Sequence, residues 1–152
     1  MTGLVNANGA PIQSKKEPEL FLLRPVRFFN NWHHDLLREL AGVMWNGTRL
    51  HHIMNLCYQG AVHAWEAPGK GLVLTETVDH PQGRELFLYG IVGRGMMEKG
   101  ADILADLKTI AEVLGCNMIG GEGIPKGWMR YGPQMGFRPV AVRYVMELKD
   151  GR

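Results

Sequence analysis

Apolar positions recur along this chain with two different periods, and the changeover organises it. Trp32, Leu36, Leu40 and Val43/Met44 follow helical spacing, with Asp35, Arg38 and Glu39 on the other face, which predicts a first helix. A second helix is marked more sharply. Leu50, Ile53, Met54, Cys57 and Tyr58 fall at i, i+3, i+4, i+7 and i+8, Thr48 stands where a cap belongs, and Gly60 ends the run. The period then shortens. Residues 61–66, 72–78 and 85–92 are apolar or β-branched runs separated by Ala-Pro-Gly-Lys-Gly (67–71) and Asp-His-Pro-Gln-Gly (79–83), both turn chemistry, so an antiparallel meander is expected. Both faces of residues 86–92 (LFLYGIV) are apolar, the mark of a central strand covered on both sides.

The next helix is the clearest. Ile103, Leu104, Leu107, Ile110, Ala111 and Leu114 form a stripe, with Asp102, Asp106, Lys108 and Glu112 outside and Gly115 at the C-terminal cap. Residues 19–24 (ELFLLR), stopped by Pro25, read as a first strand. After the clear helix come a short strand at 116–119, a Gly-rich link at 120–127 and a short segment at 128–134. In the last strand Val140, Val142, Tyr144, Met146 and Leu148 alternate with Arg143 and Glu147. The order is β-α-α-β-β-β-α-β-(α)-β, an α+β chain.

Composition narrows the function classes. The 152 residues suit one domain, here residues 19–152, behind a polar leader at 1–18 that stays extended or docks on a partner. No apolar run reaches the roughly 20 residues that cross a bilayer, and the start lacks a basic stretch before an apolar core, so neither a membrane span nor a signal peptide is expected. Cys57 and Cys116 are too few for a disulfide scaffold, so a reducing, cytoplasmic setting is the expectation. The net charge of +2 carries no basic block that would point to nucleic acid. Ser14, in the leader, is the sole serine, which removes serine-nucleophile hydrolases.

This order resembles the GCN5-related N-acetyltransferase (GNAT) fold: a mixed, mainly antiparallel sheet flanked by helices. The carriers are residues 86–95, the helix ending Ala111-Glu112-Val113-Leu114-Gly115-Cys116, and Met135-Gly136-Phe137, and the likeness spans roughly residues 20–149. The resemblance implies an acetyl-CoA pyrophosphate loop at the start of the long helix, which would make Arg94, Gly95, Lys99 and Gly100 cofactor-binding residues. Glu98 falls where that loop has a glycine, and Met96-Met97 replaces small polar residues. The implied general acid is a tyrosine four residues before Gly136-Phe137; Gly132 stands there, with Tyr131 one position earlier, and Trp128 replaces a small residue. Glu85 and Glu76 are the carboxylates available as general base.

Two functions follow. Glu98, Gly132 and Trp128 favour a non-catalytic module with no cofactor, binding other protein subunits through its leader and a Met/Trp-rich cleft (Met96, Met97, Met129, Met135, Trp45, Trp128). The leader and the Gly-Trp-Met-Arg segment are similar to bacteriophage reading frames, which implies a virion component. The alternative is an acetyl-CoA-dependent N-acetyltransferase with a degenerate loop, for which Gly93–Gly95 and Gly100 argue. Neither His33-His34 nor His51-His52 has metal-ligand spacing within its helix, so these histidines are expected on polar helix faces and no metal is expected. Trp32, Cys57 and Cys116 are expected in the core.

Overall fold

The computed structural model describes residues 19–44, 47–122, 133–140, 146 and 148. The chain divides into two compact units, Met1–Gly121 and Glu122–Arg152. In the first, β1 (Arg24–Pro25) is followed by α1 (Asn31–Val43), α2 (Leu50–Tyr58), β2 (His63–Ala67), β3 (Gly71–His80), β4 (Gly83–Gly93), a 3-10 turn (Met97–Lys99), α3 (Gly100–Val113) and β5 (Met118–Gly121). The strands lie in sequence order in one five-stranded sheet, antiparallel throughout except that β4 and β5 run parallel. A parallel pair needs a crossover, and α3 supplies it. The strand over residues 86–92 is interior, between β3 and β5, and the middle position belongs to β3. Described elements of the second unit are a 3-10 turn (Pro133–Met135) and residues near it. The leader, residues 128–132 and most of the expected last strand lie outside the described residues.

One face of the sheet carries the main core. Leu36, Leu37, Leu40 and Ala41 of α1 and Ile53 and Met54 of α2 pack on Ala64, Leu72, Leu74 and Val92. The α1 stripe is turned from its expected position. Trp32 is exposed, while His33, expected on the polar face, is 5% exposed. A buried imidazole needs partners, and this one has two. The Asn30 N–H donates to His33 Nδ1 at 3.0 Å, and Nε2 meets Glu66 Oε1 at 2.5 Å. The Asn30 side chain accepts from the His33 N–H at 2.9 Å, closing a reciprocal cap. For α2 the cap position belongs to Arg49, one residue later than expected, and its N–H donates to His52 Nδ1 at 3.0 Å.

On the opposite face α3 buries Ile103, Leu107, Ile110 and Ala111, and Gly115 adopts φ +72° just past its end, as expected of a left-handed cap. Asp106 departs from expectation. It is 1% exposed, and its carboxylate accepts three consecutive backbone N–H groups: Phe21 at 2.7 Å, Leu22 at 2.8 Å and Leu23 at 2.7 Å. The segment expected as a strand over 19–24 therefore spends these donors on α3 rather than on a neighbouring strand. Pairing begins only at Arg24 and Pro25, opposite Glu66 and Trp65. Similarly, β5 starts at Met118 rather than 116, because the Cys116 N–H still closes the helix end on Ala111 O at 2.8 Å.

Candidate active site

Two regions of β4 hold the chemistry. The first surrounds a bulge. Leu74 pairs with Gly90 but Thr75 pairs with Leu88, so Tyr89 is an extra residue without a partner across the ladder. Tyr89 packs at the rim of the α1–α2 core. Alternation along β3 puts Glu76 and Val78 on the same face as Leu72 and Leu74. Burial, then the nearby Glu85 charge, raises the Glu76 carboxyl above its ordinary pKa. Burial raises the Tyr89 hydroxyl, with smaller contributions from Glu76 and Cys57. Glu76 thus sits within electrostatic reach of Glu85 and Tyr89, and Tyr89 within reach of Cys57. Cys57 is half-buried as expected, and burial pushes its thiol up to about 11. Cys116 is also half-buried; burial raises its thiol, and Arg84 partly offsets the effect.

Glu85 is held on two sides. Its Oε1 lies 2.7 Å from His80 Nε2, across the β3–β4 turn. Its Oε2 lies directly over Gly120 of β5, where any Cβ would overlap the carboxylate. Glycine at 120 is what lets a glutamate side chain cross from β4 onto its parallel neighbour.

The second region is the entrance to α3. Gly95 adopts φ +72°, a conformation that favours glycine, and so turns the chain out of β4. The Lys99 N–H closes the 3-10 turn on Met96 O at 3.1 Å, and no side chain caps α3. Arg94 is exposed, and its N–H donates to Lys70 O at 2.8 Å, which ties the β2–β3 turn to the loop. Consequently Lys70 Nζ comes to 3.4 Å, and Glu98 Oε2 to 3.7 Å, from where a Cβ on Gly95 would stand. Arg94, Gly95, Lys99 and Gly100 all lie in this loop and the first turn of α3, and the fold adds Lys70, which sequence reading missed. Its one signal was a lysine in the Ala-Pro-Gly-Lys-Gly turn, where a solvent-facing side chain is the ordinary reading. Of the expected cleft, Met96 is buried and Met97 is 59% exposed, and Met135 lies in the second unit. Tyr131, Trp128, Met129 and Trp45 fall outside the described residues. Among the described residues no three His, Cys, Asp or Glu side chains converge as a metal site would require.

An interior strand with a bulge, a loop running from that strand into an uncapped helix, and a parallel fifth strand together define a GNAT-like fold. Solved structures bear this out. A Trypanosoma brucei acetyltransferase superposes with a TM-score of 0.55 at 16% identity, over 83% of this chain and 98% of that one. An aminoglycoside N-acetyltransferase solved in complex with CoA gives 0.56 at 16%, over 84% and 93%. An aminoglycoside 6'-N-acetyltransferase from Acinetobacter haemolyticus gives 0.56 at 12%, over 84% and 99%. At these identities the likeness shows the fold. No family model and no curated protein matches the sequence.

Proposed function

We propose that the chain is an acyl-CoA-dependent N-acyltransferase acting on a primary amine. The observation that carries the proposal is the pairing of Glu76 on β3 with Glu85 on β4, near the bulged Tyr89 of β4, the strand whose far end opens into the α3 entrance beside Lys70. Lys70, Arg94, Lys99 and the uncapped α3 end would hold phosphate oxygens there. Glu98 opposes this. One like-charge contact at about 4 Å costs on the order of 1 kcal/mol in water and 4 at an effective dielectric of 20. Glu98 is exposed, which favours the lower figure, and Lys70 at a similar distance from Gly95 offsets it. The residues fit an acyl-CoA with one opposing charge.

Acetyl-CoA, when bound, supplies the activated acyl group. The two carboxylates attract an ammonium ion, and Glu85, fixed by His80 and by the space over Gly120, takes up a proton from it to give the neutral amine. Tyr89, at the bulge of β4, would donate its phenolic proton to the thiolate that departs as the amine takes the acyl group. The test is thiol release from acetyl-CoA with a panel of primary amines. Glu85→Gln should lower kcat by about 100-fold or more. No amine-dependent thiol release, or an unchanged Glu85→Gln rate, would refute the proposal.

Glu98 over Gly95, with Phe21 77% and Phe28 88% exposed, favours a second reading: a non-catalytic module that binds other protein subunits. A bacteriophage origin and a virion role rest on the leader and the Gly-Trp-Met-Arg segment alone, both outside the described residues.

A further inference from the structure

Away from β4, α1 and α2 line a shallow, open surface groove of about 690 Å³. Its charge is one-sided. Arg38 and His34 line it from α1, Arg49 and His51 from α2 and the residue before it, and among the described residues no aspartate or glutamate lines it, although Asp35 pairs with Arg38 at its edge. The chain as a whole carries a net charge of only +2, so this concentration is local. Its apolar lining is Ala41, Leu50 and Met54, joined by the exposed ring of Tyr58.

We propose that this groove binds a small phosphate ester with an apolar or aromatic body. Two guanidinium groups, Arg38 on α1 and Arg49 at the cap of α2, match a phosphate dianion, which each can contact through paired N–H donors. A bare inorganic ion would leave the Ala41–Leu50–Met54 lining and the Tyr58 ring unused, so the organic body is part of the match. Arg38 is available to such a ligand, because its present partner Asp35 is an exposed i,i+3 neighbour at 3.1 Å, a contact that contributes little. The site is separate from the α3 entrance and does not depend on the acyltransferase reading.

The experiment uses phenyl phosphate as probe, chosen because it lacks the adenosine and pantetheine of CoA. It is titrated into the full, isotope-labelled chain while backbone amide and imidazole signals are followed. Saturable shifts should concentrate on His34, Arg38, Arg49, His51 and Tyr58, with affinity falling as salt rises. Arg38→Gln and Arg49→Gln should each weaken binding by about tenfold, as loss of a charge-assisted hydrogen bond does. Both positions are exposed, so melting temperatures should hold and a folding defect is separable from a binding one. Inorganic phosphate should compete more weakly than the probe, and benzyl alcohol should not compete. Absence of saturable shifts, shifts centred on residues 94–100, or affinity unchanged in both arginine variants would overturn the proposal.

Discussion

Asp106→Asn isolates what one buried carboxylate contributes to the fold. The substitution keeps volume and shape, so no cavity term enters. In the native chain Oδ2 accepts from Leu22 and Leu23, and Oδ1 from Phe21, at 2.7–2.8 Å. Asparagine has one carbonyl oxygen. With that oxygen toward Leu22 and Leu23, its NH₂ faces the Phe21 N–H, so one donor loses its acceptor, at about 1–3 kcal/mol. The two retained bonds change from charge-assisted to neutral, each losing roughly half its strength, or about 1 kcal/mol apiece. Relief from burying a charge offsets part of this. The net loss should be about 2–4 kcal/mol. Urea unfolding measures it, and amide exchange at residues 21–23 should accelerate beyond exchange elsewhere in the sheet. A loss under about 0.5 kcal/mol, the level of ordinary surface substitutions, would refute the clasp.

Two further predictions concern the site. Because burial lifts Cys57 from 9.0 to about 11, its contribution to stability is complete below pH 9 and is lost as pH rises through 11. Alkaline unfolding should therefore steepen over that window in the native chain and not in Cys57→Ala, and at pH 8 a disulfide reagent should meet only about a thousandth of this thiol as thiolate. Gly120→Ala should displace the Glu85 carboxylate, a flexible group, so stability should fall by under about 1 kcal/mol while kcat drops and KM for acetyl-CoA holds. An unchanged kcat would show that the Gly120 contact does not position Glu85.

The sequence was most legible where local period and local punctuation agree. The stripe from Ile103 to Ala111 with Gly115 behind it, and the meander cut by its two turns, needed no distant partner to be read. Polar residues inside the core were read outward, because what buries them is far away along the chain. His33 meets Glu66 across 33 residues, and Asp106 meets Phe21, Leu22 and Leu23 across 83 to 85. Nothing in the neighbourhood of either shows such a partner. The same holds for the site. Glu85 and the 94–100 loop could be placed by order along the chain, but Lys70 reaches Gly95 only because Arg94 bonds back to the β2–β3 turn. The bulge at Tyr89 is equally invisible, since residues 86–92 are apolar on both faces and fit either register.

The most direct test of the acyl-CoA reading is calorimetric titration of acetyl-CoA into three forms of the full chain: unaltered, Lys70→Gln and Glu98→Gln. Removing the carboxylate that stands over Gly95 should tighten binding, and removing the ammonium beside it should weaken it, each by about fivefold to tenfold for a charge contact near 4 Å at the surface. Both differences should shrink as salt rises. The account predicts the order Glu98→Gln, unaltered, Lys70→Gln from tightest to weakest. Equal affinity in all three, or no binding in any, would contradict it.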